Sequence, residues 1–212
     1  DIISNSPNYA SSNGILYNAD MTELICCPAG KVGEITIPNT VKTIVDYAFY
    51  ECTKLTGDLV IPDSVTYIGN SAFYRCNGFT GSLTIGNSVT SIGNDAFDYC
   101  AGFTGSLIIP DSVTSIGNYA FIYCTGFTGN LTIGNSVTSI GEWAFANCRG
   151  FTGSLTIPDS VTSIGSDAFA NCRGFTGSLT IGNSVTSIGD CAFRCMSSIT
   201  DIISNSPNYA SS

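Results

Sequence analysis

Histidine is absent from this sequence and charge is scarce: 11% of residues are Asp, Glu, Lys or Arg, and only seven are basic. Without histidine the commonest general base is missing. Seven lysines and arginines against a net charge of −9 leave no surface for neutralising phosphates, which excludes nucleic acid as a partner. The same balance excludes a basic patch for anionic lipid. No apolar run approaches the roughly 20 residues that a membrane helix needs, so membrane insertion is not expected. Neither a phosphate-cradling loop nor a calcium loop occurs. There is also no initiator methionine and no signal peptide ahead of Asp1, so we read the chain as a mature product or a piece of a longer one. No cofactor is expected.

What is present is a repeat. The block SVTSIG starts at Ser88, Ser112, Ser136, Ser160 and Ser184, with relatives at Thr40 and Ser64, always 24 residues apart. An Ala-Phe pair recurs with Phe49, Phe73, Phe97, Phe121, Phe145, Phe169 and Phe193. A second aromatic recurs at Phe79, Phe103, Phe127, Phe151 and Phe175. The corner after each Leu-Thr-Ile alternates between Pro-Asp (Pro62, Pro110, Pro158) and Gly-Asn (Gly86, Gly134, Gly182). Both are good turn formers, one by fixing φ and the other by freeing it. The alternation points to a duplicated two-coil unit of 48 residues. A longer echo frames the chain: DIISNSPNYASS occupies residues 1–12 and again 201–212. That offset of 200 residues is not a multiple of 24, so the short register breaks and a super-repeat of a longer parent chain is the simplest reading.

Two short strands fit each coil. Leu83–Ile85 alternates apolar and polar, and Ser88–Ile92 is rich in β-branched residues. The stretch Gly93–Cys100 reads as a short helical turn, with Ala96, Phe97 and Cys100 facing one side. A single coil buries too little apolar surface to offset the entropy of ordering it, so coils must stack. The expected fold is therefore a solenoid, mostly β with short helical turns. Parallel strands about 4.8 Å apart would give eight coils a length of roughly 40 Å.

The run Ile109–Cys124 (IPDSVTSIG…AF..C) resembles the BspA-like (Treponema-type) leucine-rich repeat, and Gly14–Lys31 (GILYNADMTELICCPAGK) resembles that family's N-terminal capping coil. The resemblance implies a right-handed leucine-rich-repeat coil with a parallel sheet on one face. It also implies a place among surface-exposed or secreted proteins of bacteria and some protists linked to adhesion. The domain reading that follows is residues 1–13 as an inter-module linker, 14–39 as the capping coil, 40–200 as the repeat coils and 201–212 as a second linker. The chain departs from the family in its near-identical coils, its Gly-Phe-Thr-Gly segment and the terminal echo.

Three constellations are candidates for function. Cys52, Cys76, Cys100, Cys124, Cys148 and Cys172 form a ladder at one position of the coil. Thiols in a line do not converge on a tetrahedron, so a zinc site is excluded and the ladder reads as buried filling of one core slot. Stacked side chains pointing the same way also suit a disulfide poorly. Cys26 and Cys27 in the cap, with Cys191 and Cys195 in the last coil, stand off the ladder and are candidates for disulfides in an oxidising compartment, or for plain thiols. Variation between coils is confined to columns carrying Tyr47, Tyr50, Tyr74, Tyr99, Tyr119, Tyr123 and Trp143, residue types that anchor interfaces. Rows of Ser and Thr hydroxyls on the strands read as a solvated face, with ice binding as the sharper alternative. Asn130-Leu131-Thr132 is a glycosylation sequon. Asp63, Asp111 and Asp159 recur two coils apart, about 10 Å on the strand spacing, too far to act as a catalytic pair and explained by turn formation.

The functional expectation is a non-enzymatic, extracellular or cell-surface structural module of a tandem array or filament, whose partners are other copies of itself joined head to tail. The alternative is an adhesin that binds a host or cell-surface protein through the aromatic columns.

Overall fold

The computed structural model describes residues 3–209. The chain winds as a β-solenoid, one coil per 24-residue repeat, with three walls per coil. The first wall carries the SVTSI segments. Strands Thr43–Ile44, Tyr67–Ile68, Ser91–Ile92, Ser115–Ile116, Ser139–Ile140, Ser163–Ile164 and Ser187–Ile188 pair in parallel, each in register with its equivalent one coil away. The strands are shorter than the sequence pattern predicts. Val89 folds back to donate its N–H to the carbonyl of Gly86, which spends the first half of the segment in the corner turn.

At the N-terminal end this wall is extended by β1 (Tyr9–Ser12), β2 (Ile15–Asn18) and β3 (Glu23–Cys26), giving ten strands in all. β1 and β2 form an antiparallel hairpin. Its two-residue loop is Asn13-Gly14, both with positive φ (49° and 71°), the backbone that a tight hairpin needs and that these residues tolerate best. β3 pairs antiparallel with β2 and parallel with Thr43–Ile44, so the cap converts hairpin geometry into solenoid geometry.

The second wall carries the Leu-Thr-Ile segments. Here pairing is broken into groups: Leu59–Val60 with Leu83–Thr84, Leu107–Ile108 with Leu131–Thr132, and Leu155–Ile157 with Ser178–Ile181. Each pair is one Pro-Asp coil followed by one Gly-Asn coil. The carboxylates of Asp63, Asp111 and Asp159 accept the backbone N–H of Asn87, Asn135 and Asn183 at 2.7, 2.7 and 2.8 Å. From Gly57 onward the glycine of this column takes positive φ in every second coil, at Gly57, Gly105 and Gly153 (76–77°); Gly33 in the cap does so as well, at 85°. The 48-residue unit is thus a structural doublet as well as a sequence pattern.

The segments read as linkers contain strands: Tyr9–Ser12 is β1, and Asp201–Ser204 pairs in parallel with Ser178–Ile181 over four residues. One expectation needs correction: the third wall is not helical. Asp95 and Tyr99 have φ of 53° and 55°, in the left-handed region, and their equivalents in all the repeat coils do the same. Two left-handed residues four apart interrupt any helix. They also turn alternate N–H groups along the solenoid axis: Asp95, Phe97 and Tyr99 donate to the carbonyls of Asn118, Ala120 and Ile122 in the next coil at 2.8, 2.7 and 3.0 Å. The cost of a left-handed non-glycine residue, about 1–2 kcal/mol, is offset by these inter-coil bonds.

The core is a bundle of stacks. The Phe49-to-Phe193 column stacks ring on ring, with centroids 4.7–5.6 Å apart and planes within 10°. The Phe79-to-Phe175 column does so at 5.2–6.0 Å. Val, Ile, Leu and Ala columns fill the remaining volume. Backbones approach so closely at some corners that only glycine fits. A Cβ on Gly102 would lie 2.1 Å from the carbonyl oxygen of Phe79. Gly102→Ala is therefore expected to separate two coils and destabilise by about 3 kcal/mol or more, the upper end for overpacking. Gly30→Ala, with open space around it, is expected to leave thermal stability nearly unchanged; calorimetry of the two variants checks the contrast.

Candidate interaction surface

The cysteine ladder lies inside. Cys52 to Cys172 are fully buried, and all ten cysteines of the chain are free thiols. Their role goes beyond filling space. Each thiol from Cys76 onward donates its S–H to a phenylalanine carbonyl in the preceding coil: Cys76 to Phe49, Cys100 to Phe73, Cys124 to Phe97, Cys148 to Phe121 and Cys172 to Phe145, at 2.9–3.1 Å. Each of those oxygens already accepts the N–H of the cysteine in its own coil, as Phe49 does from Cys52 at 3.1 Å. Cysteine is thus an apolar filler that also satisfies the carbonyl's second lone pair. Burial pushes these thiols far above their ordinary range, with Cys172 raised to about 12.

The four off-ladder cysteines differ from one another. Cys27 is buried beneath Cys52, whose thiol donates to the Cys27 carbonyl at 3.5 Å, so it forms the foot of the ladder and is not presented to a neighbour. The Cys52 contact and the nearby Lys31 charge together hold the Cys27 thiol below its ordinary range. Cys26 is half-buried, while Cys191 and Cys195 are exposed on the last coil. Both of the latter occupy left-handed positions, φ 58° and 59°.

The aromatic residues do not form one stripe. They occupy three neighbouring columns of the third wall. Tyr50 stacks on Tyr74 (4.9 Å), Tyr99 on Tyr123 (4.5 Å) and Tyr119 on Trp143 (6.5 Å), while Tyr47 meets Tyr50 edge-on at 5.8 Å. Because the rings stack along the axis, the columns present ring edges and hydroxyls to solvent rather than faces. Tyr47, Tyr50, Tyr99 and Tyr119 are exposed; Tyr74, Tyr123 and Trp143 are half-buried. Two participants escaped the sequence reading. The Arg75 guanidinium lies 5.3 Å from the Tyr74 ring beside it and 5.6 Å from the Tyr99 ring one coil on in its own column, and it pairs with Glu51 one coil back at 3.4 Å. Asp98 follows Tyr74 in its column and is only 7% exposed, with one carboxylate oxygen unpartnered. An acidic residue where other coils carry Tyr, Ile, Ala or, in the last coil, Arg194 was the available signal. Beyond it, Ile122, Ala146 and Ala170 form a small second core against which Tyr123 and Trp143 pack.

On the Leu-Thr-Ile strands, where the hydroxyl rows were read, the Ser82 hydroxyl donates to Asp58 at 2.8 Å and Ser178 to Ser154 at 3.4 Å, while Thr84 and Thr156 are exposed. On the first wall Thr90, Thr114, Thr138, Thr162 and Thr186 each donate to the threonine carbonyl one coil back, at 3.0–3.1 Å. Asn130 is exposed, its N–H bonded to Ser106. Among the described residues no group of three or more acidic or cysteine side chains is placed to hold a metal, and no helix is long and apolar enough to cross a membrane.

A sequence model of the BspA type leucine-rich-repeat region matches residues 26–152 and 150–211, in six copies. Among solved structures, the fold resembles a leucine-rich cell-surface protein of Faecalibacterium prausnitzii. That match has a TM-score of 0.78 and 30% identity over 97% of this chain, which spans 56% of the Faecalibacterium protein. A leucine-rich-repeat protein of T. pallidum shares the fold at TM-score 0.66, with 24% identity over 91% of this chain and 87% of that one. Among curated proteins nothing matches the chain.

Two measurements probe these surfaces. In the native protein a thiol reagent is expected to label Cys191 and Cys195 at once and Cys26 more slowly. The other seven cysteines should react only after denaturation, as mass spectrometry of labelled peptides would show. Asp98 supplies the second. Burial, then the neighbouring Asp95 charge, pushes its carboxyl up to about 7. The folded state therefore holds the proton more tightly than the unfolded chain. The contribution of Asp98 to stability is fully present below the unfolded value near 4 and is lost as pH rises through about 7. Asp98→Asn is expected to flatten that fall and to raise stability at pH 8 by a few kcal/mol, on the order of the shift, in denaturant titrations at pH 4 and pH 8.

Proposed function

The chain belongs to the BspA-type leucine-rich-repeat family, and from that premise we propose that it is a structural module of an extracellular tandem array, its modules joined head to tail. Leucine-rich-repeat folds are typically non-enzymatic, and the family and its relatives support a surface repeat module that binds proteins or builds structure. The observation that carries the finer reading is the dodecapeptide repeated at residues 1–12 and 201–212. A sequence that closes one module and opens the same module again is what a string of modules requires. Two features agree with it. Two of the three walls are built from near-identical segments with threonine hydroxyls and corner carboxylates bonded along the axis, which leaves the ends as surfaces for joining modules. Exposed strand edges at the ends of a solenoid also invite pairing with another copy unless capped. The neighbour described as a cell-surface protein supports a place outside the cell.

A second reading, an adhesin, is favoured by the exposed patch in which Arg75 lies between Tyr74 and Tyr99, since Tyr and Arg dominate binding hot spots. The two separate experimentally. Electron microscopy of native material, with intact mass before and after reduction, is expected to show fibres with an axial repeat of one module. Compact monomers of 22.1 kDa would reject the array. In that case a saturable partner lost on changing Tyr99, Tyr123 and Trp143 to Ser would establish the adhesin.

A further inference from the structure

The two copies of the dodecapeptide bond differently to the body of the protein, yet they fold alike internally. In both, the serine hydroxyl of the first Ser donates to the tyrosine carbonyl: Ser4 to Tyr9 and Ser204 to Tyr209. In both, the asparagine N–H before the tyrosine is accepted by a serine hydroxyl at 3.2 Å, Asn8 by Ser6 and Asn208 by Ser206. In both, the tyrosine N–H returns to the same serine carbonyl, at 3.4 Å for Tyr9 and 3.3 Å for Tyr209. The turn Ser-Asn-Ser-Pro-Asn-Tyr is therefore fixed by its own sequence rather than by its surroundings.

Outside that turn the described parts of the two copies bond to different partners. In the second copy Asp201–Ser204 adds a strand to Ser178–Ile181, with four register pairs. Its turn then crosses the end of the last coil. Asn205 donates to the Ile181 carbonyl, and the Ser206 hydroxyl donates to the Val185 carbonyl at 2.7 Å. That last bond repeats what Ser112 does to Val89 and Ser160 to Val137, both at 2.7 Å, wherever a Pro-Asp coil follows a Gly-Asn coil. The dodecapeptide thus stands where the next Pro-Asp coil belongs. Tyr209 reaches the edge of the first wall, where its hydroxyl accepts the Ile188 N–H at 3.2 Å. In the first copy Tyr9–Ser12 is β1, the outermost strand at the other end of that same wall. The groups that dock in the second copy are idle in the first. Ile3 is 83% exposed and Ser6 is exposed, whereas Ser206 is 6% exposed.

We propose that one dodecapeptide performs both roles at once, splicing the last coil of one module to the cap of an identical module that follows in the same chain. Its Asp-Ile-Ile-Ser half extends the second wall of the leading module. Its self-bonded turn crosses the end of the solenoid. Its Tyr-Ala-Ser-Ser half pairs with the Ile15–Asn18 strand of the following module. Because Tyr209 touches the Ser187–Ile188 strand and its counterpart Tyr9 begins β1, the first walls of the two modules meet edge to edge. The junction is therefore a rigid splice and not a flexible tether. The inference rests on the array reading for its biological setting, but its test does not depend on native assembly.

The test is a two-module chain, residues 1–212 followed directly by residues 13–212, studied by small-angle X-ray scattering and by amide exchange of the central dodecapeptide. The expected result is a single rod about twice the maximum dimension of the single chain, with both halves of the central dodecapeptide protected from exchange. A distribution of bent two-bead shapes, or protection of one half alone, would overturn the splice. Two variants sharpen it. Inserting Gly-Ser-Gly-Ser between Asn208 and Tyr209 leaves each half's strand partner in place but breaks the turn, and should convert the rod into two beads. Ser206→Ala with Tyr209→Ala should bend the two-module rod under conditions where the same pair of changes leaves the single chain folded; a rod as stiff as the parent would contradict the assigned contacts. Monomeric native material alongside a stiff two-module chain would reject the array and leave the splice standing. Native fibres alongside a flexible two-module chain would do the reverse.

Discussion

Everything in this protein depends on the coil-to-coil distance set by backbone hydrogen bonding. Once parallel strands fix it near 4.8 Å, each side chain has its own kind directly above and below, and the only stable solution is a column of like residues. Flat rings suit such a column because they stack at 4.7–5.6 Å with parallel planes. Glycine is demanded where backbones touch, as at Gly102 against Phe79. Cysteine suits the slot beside the phenylalanine backbone because it is small and apolar and still offers one donor to the coil below. The near-identity of the coils is a packing requirement imposed in one dimension.

The same constraint decides where function can reside. Polar groups on the walls are consumed along the axis: threonine hydroxyls by carbonyls one coil back, and corner carboxylates by the next coil's N–H. A wall that satisfies itself offers little to a ligand. What stays open is the set of third-wall columns, where the sequence varies, and the two ends, where the ladder runs out of coils. Two of those columns have a left-handed backbone whose N–H groups bond to the coil that follows, and exposed Tyr99 and buried Asn147 both fit that geometry.

Much of the fold was legible beforehand because periodicity is read directly from identical letters. The 24-residue coil, the inward Phe and Cys columns and the Pro-Asp/Gly-Asn doublet all follow from spacing. The turn wall was misread as helical because Ala96, Phe97 and Cys100 have helix-like spacing; nothing in the letters at Asp95 and Tyr99 announces positive φ, since the inter-coil bonds that stabilise it involve only backbone. The strands within the terminal segments were not legible for a related reason. Strand pairing at Asp201–Ser204 is chosen by a neighbour that a local reading does not see. Of the surface, the sequence marks the aromatic columns as variable but does not show their division into separate stacks, because it gives a column's membership and not the direction its rings face. Arg75 and Asp98 were overlooked for the same reason: their significance lies in what occupies the adjoining coils.

The claim beneath all of this is that the turn wall is held by axial backbone bonds as firmly as the strands are. Amide hydrogen exchange on the native chain tests it directly. Phe97, Phe121 and Phe145 lie in turns yet donate to Ala120, Ala144 and Ala168 at 2.7, 2.7 and 2.8 Å. The account predicts that these three amides exchange as slowly as that of Gly117, which bonds the first wall to the coil before it. Exchange at the rate of an unprotected peptide would contradict the account and leave the coils joined by their strands alone.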